Sequence, residues 1–152
     1  MNVKTLTRLV ATGALTAGIA VAMTVPANAG NGVVVKSGTC LSASSQTAST
    51  WTLKAKPVGD QILVKAKVHS NVMGQNWLYD ITKSHLTTTS GPTTHPTNHV
   101  VARGMISTQS SGSWTLRALT ANEPGTSRIS FRATKPGSTV GAREVCIGSV
   151  TI

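Results

Sequence analysis

The chain has 152 residues, of which 14 are lysine or arginine and only four are aspartate or glutamate, so its formal net charge is +10. Aromatic residues make up 3% of the sequence, and cysteine occurs twice. So few carboxylates and thiols argue against enzymes that use paired acids or a free cysteine. The length allows one domain with a modest core.

The first 29 residues have the composition of a secretory signal peptide. Lys4 and Arg8 form a positive amino-terminal region, an apolar run covers 9–25, and Ala27-Asn28-Ala29 provides a small-residue cleavage site. An uncleaved membrane anchor is the alternative, which this site and the polar sequence after it disfavour. We therefore expect an exported protein, secreted or associated with the cell envelope. Its mature domain over 30–152 would contain no membrane-spanning segment and keep a net charge of about +8.

Cys40 and Cys146 are expected to form one structural disulfide, because the compartment of an exported protein is oxidising. The bridge would close a loop of about 107 residues, which the chain-entropy model values at roughly 4–5 kcal/mol. Free or metal-binding thiols are the alternative. The chain has no CxxC motif and no histidine beside either cysteine, which disfavours that alternative.

From residue 30 onward, the alternation of apolar and polar residues predicts strands and turns but no helix. After an opening strand at 32–36, Trp51 begins an alternating run that ends in a turn over 56–60. The stretch 61–81 contains two further strands around a short turn. We expect these two strands to pair at the centre of one antiparallel sheet.

The second half predicts more strands, separated by a long exposed segment at Thr82–Asn98 that is rich in Thr, Ser, Pro and His. In the next strand, over 100–106, the even-numbered residues are expected to share one face. Three more strands follow, the last over 145–152. About seven or eight short strands with regular turn signals predict a single antiparallel β-sandwich.

The order of several short motifs resembles small secreted actinobacterial proteins of uncharacterised function with an immunoglobulin-like sandwich. The shared features are an early and a late cysteine, a G-x-x-W-x-Y strand, an S-G-S-W strand, and an N-x-x-G turn followed by I-x-F. Here they are Cys40 and Cys146, Gly74/Trp77/Tyr79, Ser111-Gly112-Ser113-Trp114, Asn122/Gly125 and Ile129/Phe131. The resemblance implies an immunoglobulin-like fold and export. It implies no activity, because such sandwiches host unrelated functions.

Catalytic, metal and carbohydrate sites are each disfavoured by the residues available. Nothing in the sequence brings two of the four acids together, and no nucleophile, zinc or phosphate-loop motif is present. His95 and His99 have a spacing seen in metal sites, but Pro96 lies between them and no further ligand is evident. Trp51, Trp77 and Trp114 are in phase with aliphatic neighbours and are expected in the core. We therefore predict a non-enzymatic protein without a cofactor or metal.

The basic residues carry most of the functional information. Lys65 and Lys67 on one strand and Arg128 and Arg132 on another are expected to project into solvent, with Lys54, Lys56, Arg103 and Arg117 nearby in the pattern. Such an excess attracts anionic envelope polymers or acidic glycans, although the same charge can serve solubility alone. Aromatic residues are not interleaved with the basic ones, which disfavours sequence-specific nucleic-acid binding. A second hypothesis is a secreted inhibitor or effector that presents Thr82–Asn98 to a protein partner.

Overall fold

The computed structural model describes residues 32–42, 48–86, 97–137 and 143–152. The signal peptide predicted at 1–29 therefore lies outside the described residues. The described residues form nine strands, and they contain no helix that could span a membrane. The strands are β1 Val34–Thr39, β2 Leu41–Ser42, β3 Thr50–Val58, β4 Gln61–His69, β5 Asn76–Leu86, β6 Thr97–Ser107, β7 Ser113–Ala121, β8 Thr126–Lys135 and β9 Glu144–Thr151.

The strands form two antiparallel sheets. Sheet A has the order β1-β3-β4-β7, and sheet B has the order β2-β9-β8-β5-β6. The all-β sandwich predicted from the sequence is thus confirmed, with nine strands in place of seven or eight. Its immunoglobulin-like character stays a prediction.

The core lies between the two sheets and comes from the apolar phase of each strand. On β4, Ile62, Val64, Ala66 and Val68 are buried, as their alternation predicted. The predicted placement of the three tryptophans is also confirmed, because all are at least 95% buried. With Phe131, they provide most of the large aromatic surface in the core.

The Cys40–Cys146 disulfide is present, with an S–S distance of 2.02 Å. Cys40 lies between β1 and β2, where the chain passes from sheet A to sheet B, and Cys146 lies on β9 of sheet B. The bridge therefore fixes this crossing next to the last strand. A disulfide is compatible with an extracellular location.

The expectation that β4 and β5 pair within one sheet is wrong. The chain crosses between sheets after His69, so that β4 pairs with β3 and β7, while β5 pairs with β6 and β8.

The strand that forms a hairpin with β4 is β3, and the turn between them consists of Gly59-Asp60 alone. Gly59 has a φ of 61°, the left-handed conformation that two-residue hairpin turns often need and that glycine adopts easily. The turn predicted over 56–60 was too long, because 56–58 belong to β3.

The expected exposed loop Thr82–Asn98 is strand at both ends, since β5 continues to Leu86 and β6 begins at Thr97. Its middle part, 87–96, lies outside the described residues, so the loop stays a prediction there. The register of β6 shifts opposite Ile81/Thr82. This irregularity puts Val100 on the opposite face from Ala102, Gly104 and Ile106, so the expectation that the even-numbered residues of 100–106 share one face is wrong for Val100. The opening strand also lies two to three residues later than predicted, at Val34–Thr39.

Candidate functional site

The four basic residues predicted to bind anions lie on opposite sides of the sandwich. Lys65 and Lys67 are on the outer face of sheet A, because their neighbours on β4 fill the core. Arg128 and Arg132 are on the outer face of sheet B, on either side of the buried positions of β8. The structure therefore separates the four residues into two pairs that cannot form one continuous surface.

Sheet A gathers other cations around the first pair. Lys54 of β3 stands opposite Lys65 of β4, and Lys65 stands opposite Arg117 of β7. Neighbouring strands lie about 4.8 Å apart, so these three positions form a row about 10 Å long across the sheet. Lys56 and Lys67 each lie two residues along a strand from this row, a step of about 7 Å on the same side.

We call the outer side of sheet A the cationic face, defined by five residues: Lys54, Lys56, Lys65, Lys67 and Arg117. Lys65 is half-buried between its neighbours, and the other four are exposed. In the part of the chain that the structure describes, the lysines and arginines in ion pairs are Lys83, Arg103 and Lys135. The five cations are therefore not neutralised by carboxylates of the described domain.

This arrangement has no evident role in stability. Like charges that lie directly opposite each other on neighbouring strands destabilise a sheet. Lys65 has a cation opposite it on both sides, in β3 and in β7. A multivalent anion bound across the three strands would relieve this repulsion, and the sheet would hold the cations in a fixed spacing.

At one end, the cationic face continues into a cleft of about 360 Å³. Its lining consists of Lys67 and groups that can donate or accept hydrogen bonds: Thr50, Thr52, His69, Ser111 and Ser113. His69 Nδ1 and Ser113 Oγ lie 2.5 Å apart, within hydrogen-bond distance. Charged and hydroxyl groups thus share one side of the sheet, which suits a ligand with both anionic and hydroxyl groups.

The His69–Ser113 pair has two of the three elements of a serine-hydrolase triad. The third element is a carboxylate that orients the histidine ring, and none contacts His69 among the residues described. Asp80, Glu123 and Glu144 are engaged by Arg103, Lys83 and Lys135, respectively. The pair is therefore a cross-strand hydrogen bond beside the cationic face, without the orienting acid of a triad.

The two histidines whose spacing occurs in metal sites, a role that the sequence disfavoured, are not both described. His99 is exposed on β6, and His95 lies outside the described residues. Over the described ranges, no three or more side chains of His, Cys, Asp or Glu are grouped to hold a metal ion.

Sequence reasoning missed an ion pair between a buried lysine and an exposed glutamate at the end of sheet B. Lys83 is 2% exposed, and its Nζ donates to the Ala121 carbonyl oxygen at 2.7 Å and to Glu123 Oε2 at 2.9 Å. The hydrogen bond from Lys83 and its positive charge hold the pKa of Glu123 below its ordinary value. The alternation of β5 could have signalled Lys83, which is in phase with Trp77 and Ile81.

Glu144 forms a second internal contact that sequence reasoning missed. It is 3% exposed, accepts a hydrogen bond from the Ser49 backbone N–H at 2.6 Å, and lies 2.8 Å from Lys135 Nζ. Burial alone would raise the pKa of Glu144, but the hydrogen bonds from Lys135 and Ser49 outweigh it and lower this pKa. These contacts join the start of β9 to the end of β8 and to the segment before β3.

Comparison with known proteins gives no further guide to the site: the chain matches no family model, and neither the curated proteins nor the solved structures searched contain a significant match. The resemblance to secreted actinobacterial sandwich proteins is therefore untested.

Proposed function

We propose that this protein is a secreted, non-enzymatic binding module that holds anionic polymers of the cell envelope on its cationic face. The observation that supports this most strongly is the row Lys54–Lys65–Arg117, in which three cations stand side by side without a carboxylate partner in the described domain. The signal peptide predicted at 1–29 and the disulfide both fit an extracellular site of action.

A regular array of cations suits a polymer better than a single small ion. Each Lys or Arg that contacts the polymer releases counterions, so the contacts act together and weaken as salt is added. The partners that fit this chemistry are polymers with repeated phosphate, sulfate or carboxylate groups, such as anionic wall polymers and acidic glycans. The hydroxyl-lined cleft beside Lys67 favours polymers that also carry hydroxyl groups.

The test is retention of the purified protein on its producer's cell walls, followed by titration with polyphosphate and with heparin over a range of salt concentrations. Neutral dextran serves as the uncharged polymer. We expect binding at low salt to both anionic polymers, with a logarithmic salt slope that falls by about 1 for each contact removed. The triple variant Lys54→Gln/Lys65→Gln/Arg117→Gln should bind at least ten-fold more weakly.

A matched variant distinguishes the contribution of this face to polymer binding from that of the overall charge. Lys36→Gln/Arg128→Gln/Arg132→Gln removes the same number of positive charges from residues away from the cationic face, and should reduce polymer binding less than three-fold. Equal losses in both variants would show that net charge alone attracts the polymer, and the proposed face would be wrong. Absence of retention at low salt would overturn the proposed function itself.

A further inference from the structure

A second, separate cleft of about 450 Å³ opens on the outer side of sheet B. Residues of β5, β8 and β9 form its floor, and Lys36 reaches it from β1 of the other sheet. Its polar lining includes three cations and three hydroxyls: Lys36, Arg128, Arg132, Thr82, Ser130 and Ser149. This cleft is therefore built differently from the open cationic face.

The two arginines flank a single serine. Arg128, Ser130 and Arg132 alternate on β8 and so project from the same side of the strand. Each arginine Cα lies about 7 Å along the strand from that of Ser130. Because the arginine side chain is long, both guanidinium groups can approach a group bound above Ser130.

Hydroxyl groups lie on both sides of that position. Ser130 stands opposite Ser149 of β9 and opposite Thr82 of β5, so three hydroxyls form a row across the sheet. Arg128 Nη2 donates to Ser149 Oγ at 3.1 Å, which orients this arginine along the cleft. Hydroxyls can donate to an oxyanion, and guanidinium groups bind its oxygens in pairs.

The one carboxylate in the lining does not neutralise the arginines of the cleft. Asp80 stands opposite both Arg132 and Arg103. Arg103 donates two hydrogen bonds to Asp80 Oδ2, at 2.9 and 2.6 Å. The described residues contain no ion pair between Asp80 and Arg132, so Arg128, Arg132 and Lys36 give the cleft an excess of positive charge.

We propose that this cleft binds one tetrahedral oxyanion, the phosphate or sulfate ester of a small ligand, above Ser130 and between Arg128 and Arg132. Two planar guanidinium groups that approach from opposite directions can contact several oxygens of such a group at once, whereas a carboxylate has only two. The inference does not depend on the proposed function, since it concerns other residues on the opposite side of the sandwich.

The test is an NMR titration of the ¹⁵N-labelled protein with sodium phosphate, and separately with sodium sulfate and sodium acetate, at constant ionic strength held with chloride. With phosphate, sulfate or both, we expect saturable shifts of the backbone amide signals in 128–132 and 147–149. The ion that binds more tightly shows whether the cleft prefers the chemistry of a phosphate or of a sulfate group. Equal shifts with acetate would overturn the assignment to a tetrahedral oxyanion.

Two variants make the test specific for this position. Arg128→Gln/Arg132→Gln should weaken the binding at least ten-fold and keep the dispersed amide spectrum of the folded domain. The variant Lys54→Gln/Lys65→Gln/Arg117→Gln should bind phosphate or sulfate like the unmodified protein. Shifts that persist in the arginine variant, or that disappear in the other one, would overturn the proposed cleft site without affecting the polymer assay.

Discussion

A β-carbon on Gly148 would overlap the indole ring of Trp51, so β9 passes over this ring at a position without a side chain. Gly38 of β1 makes a similar approach, where an added β-carbon would lie 2.8 Å from Trp51 Cζ2. Two glycines on different strands thus cover one tryptophan and allow β1 to lie beside β9. The same approach allows Lys36 of β1 to reach the cleft on sheet B.

Gly148→Ala is expected to destabilise the domain by about 1–3 kcal/mol, because the added methyl group must displace a large buried ring or a strand. The midpoint of urea unfolding measures this loss. Thr151→Ser, at an exposed position three residues further along the same strand, should change stability by less than about 0.5 kcal/mol. A Gly148→Ala variant as stable as the unmodified protein would show that Trp51 can move without cost.

Reduction of the Cys40–Cys146 disulfide is expected to lower stability by up to about 4–5 kcal/mol, because the bridge closes a long loop in the unfolded chain. Urea unfolding with and without a phosphine reductant measures the difference. Cys40→Ala/Cys146→Ala should match the reduced protein and should not respond to reductant. A response of this variant equal to that of the unmodified protein would mean that the reductant acts elsewhere.

The sequence predicted the local structure of each strand better than it predicted which strands lie next to each other in a sheet. The alternation on β4 correctly identified its buried residues, because that pattern depends only on the strand period. The same pattern could not reveal that β4 and β5 belong to different sheets. A turn within one sheet and a crossing between sheets can have similar length and polarity, so the error at 71–75 follows from the lack of long-range information.

The candidate site shows the same limit. Lys65 and Lys67 were identified from the exposed phase of β4, but their partners Lys54 and Arg117 depend on which strands pair with β4. Arg128 and Arg132 have a similar exposed pattern and lie on the other sheet. Charge and periodicity can indicate that a residue faces solvent, whereas the sheet order decides which exposed cations act together.

Replacement of the buried Lys83 by methionine should leave stability within about 1 kcal/mol of the unmodified protein, or raise it. The reason is that burial of the Lys83 ammonium carries a large desolvation cost, which methionine of similar length avoids. Glu123→Gln should instead lower the unfolding midpoint, because Lys83 stays 2% exposed and loses its counter-charge. The two single variants and the double variant form a thermodynamic cycle. A larger loss for Lys83→Met than for Glu123→Gln would contradict this reasoning.

Glu144→Gln is expected to lower the unfolding free energy by about 1–2 kcal/mol at neutral pH, because the hydrogen bonds from Ser49 and Lys135 are stronger to a carboxylate than to an amide. Since the pKa of Glu144 is lowered in the folded protein, this advantage is fully present above the unfolded value of about 4.3. It is lost as the pH falls through the folded pKa.

Urea unfolding of both proteins between pH 7 and pH 2 measures this difference, and the two stability curves should converge at the acid end. Asp60→Asn makes the same change of charge at an exposed turn that has no ion pair in the described domain, and its stability should stay close to that of the unmodified protein at neutral pH. If the Glu144→Gln deficit is constant over the whole range, the lost contact does not depend on ionisation. The contacts of Glu144 with Ser49 and Lys135 would then stabilise the fold through packing and not through the charge of the carboxylate.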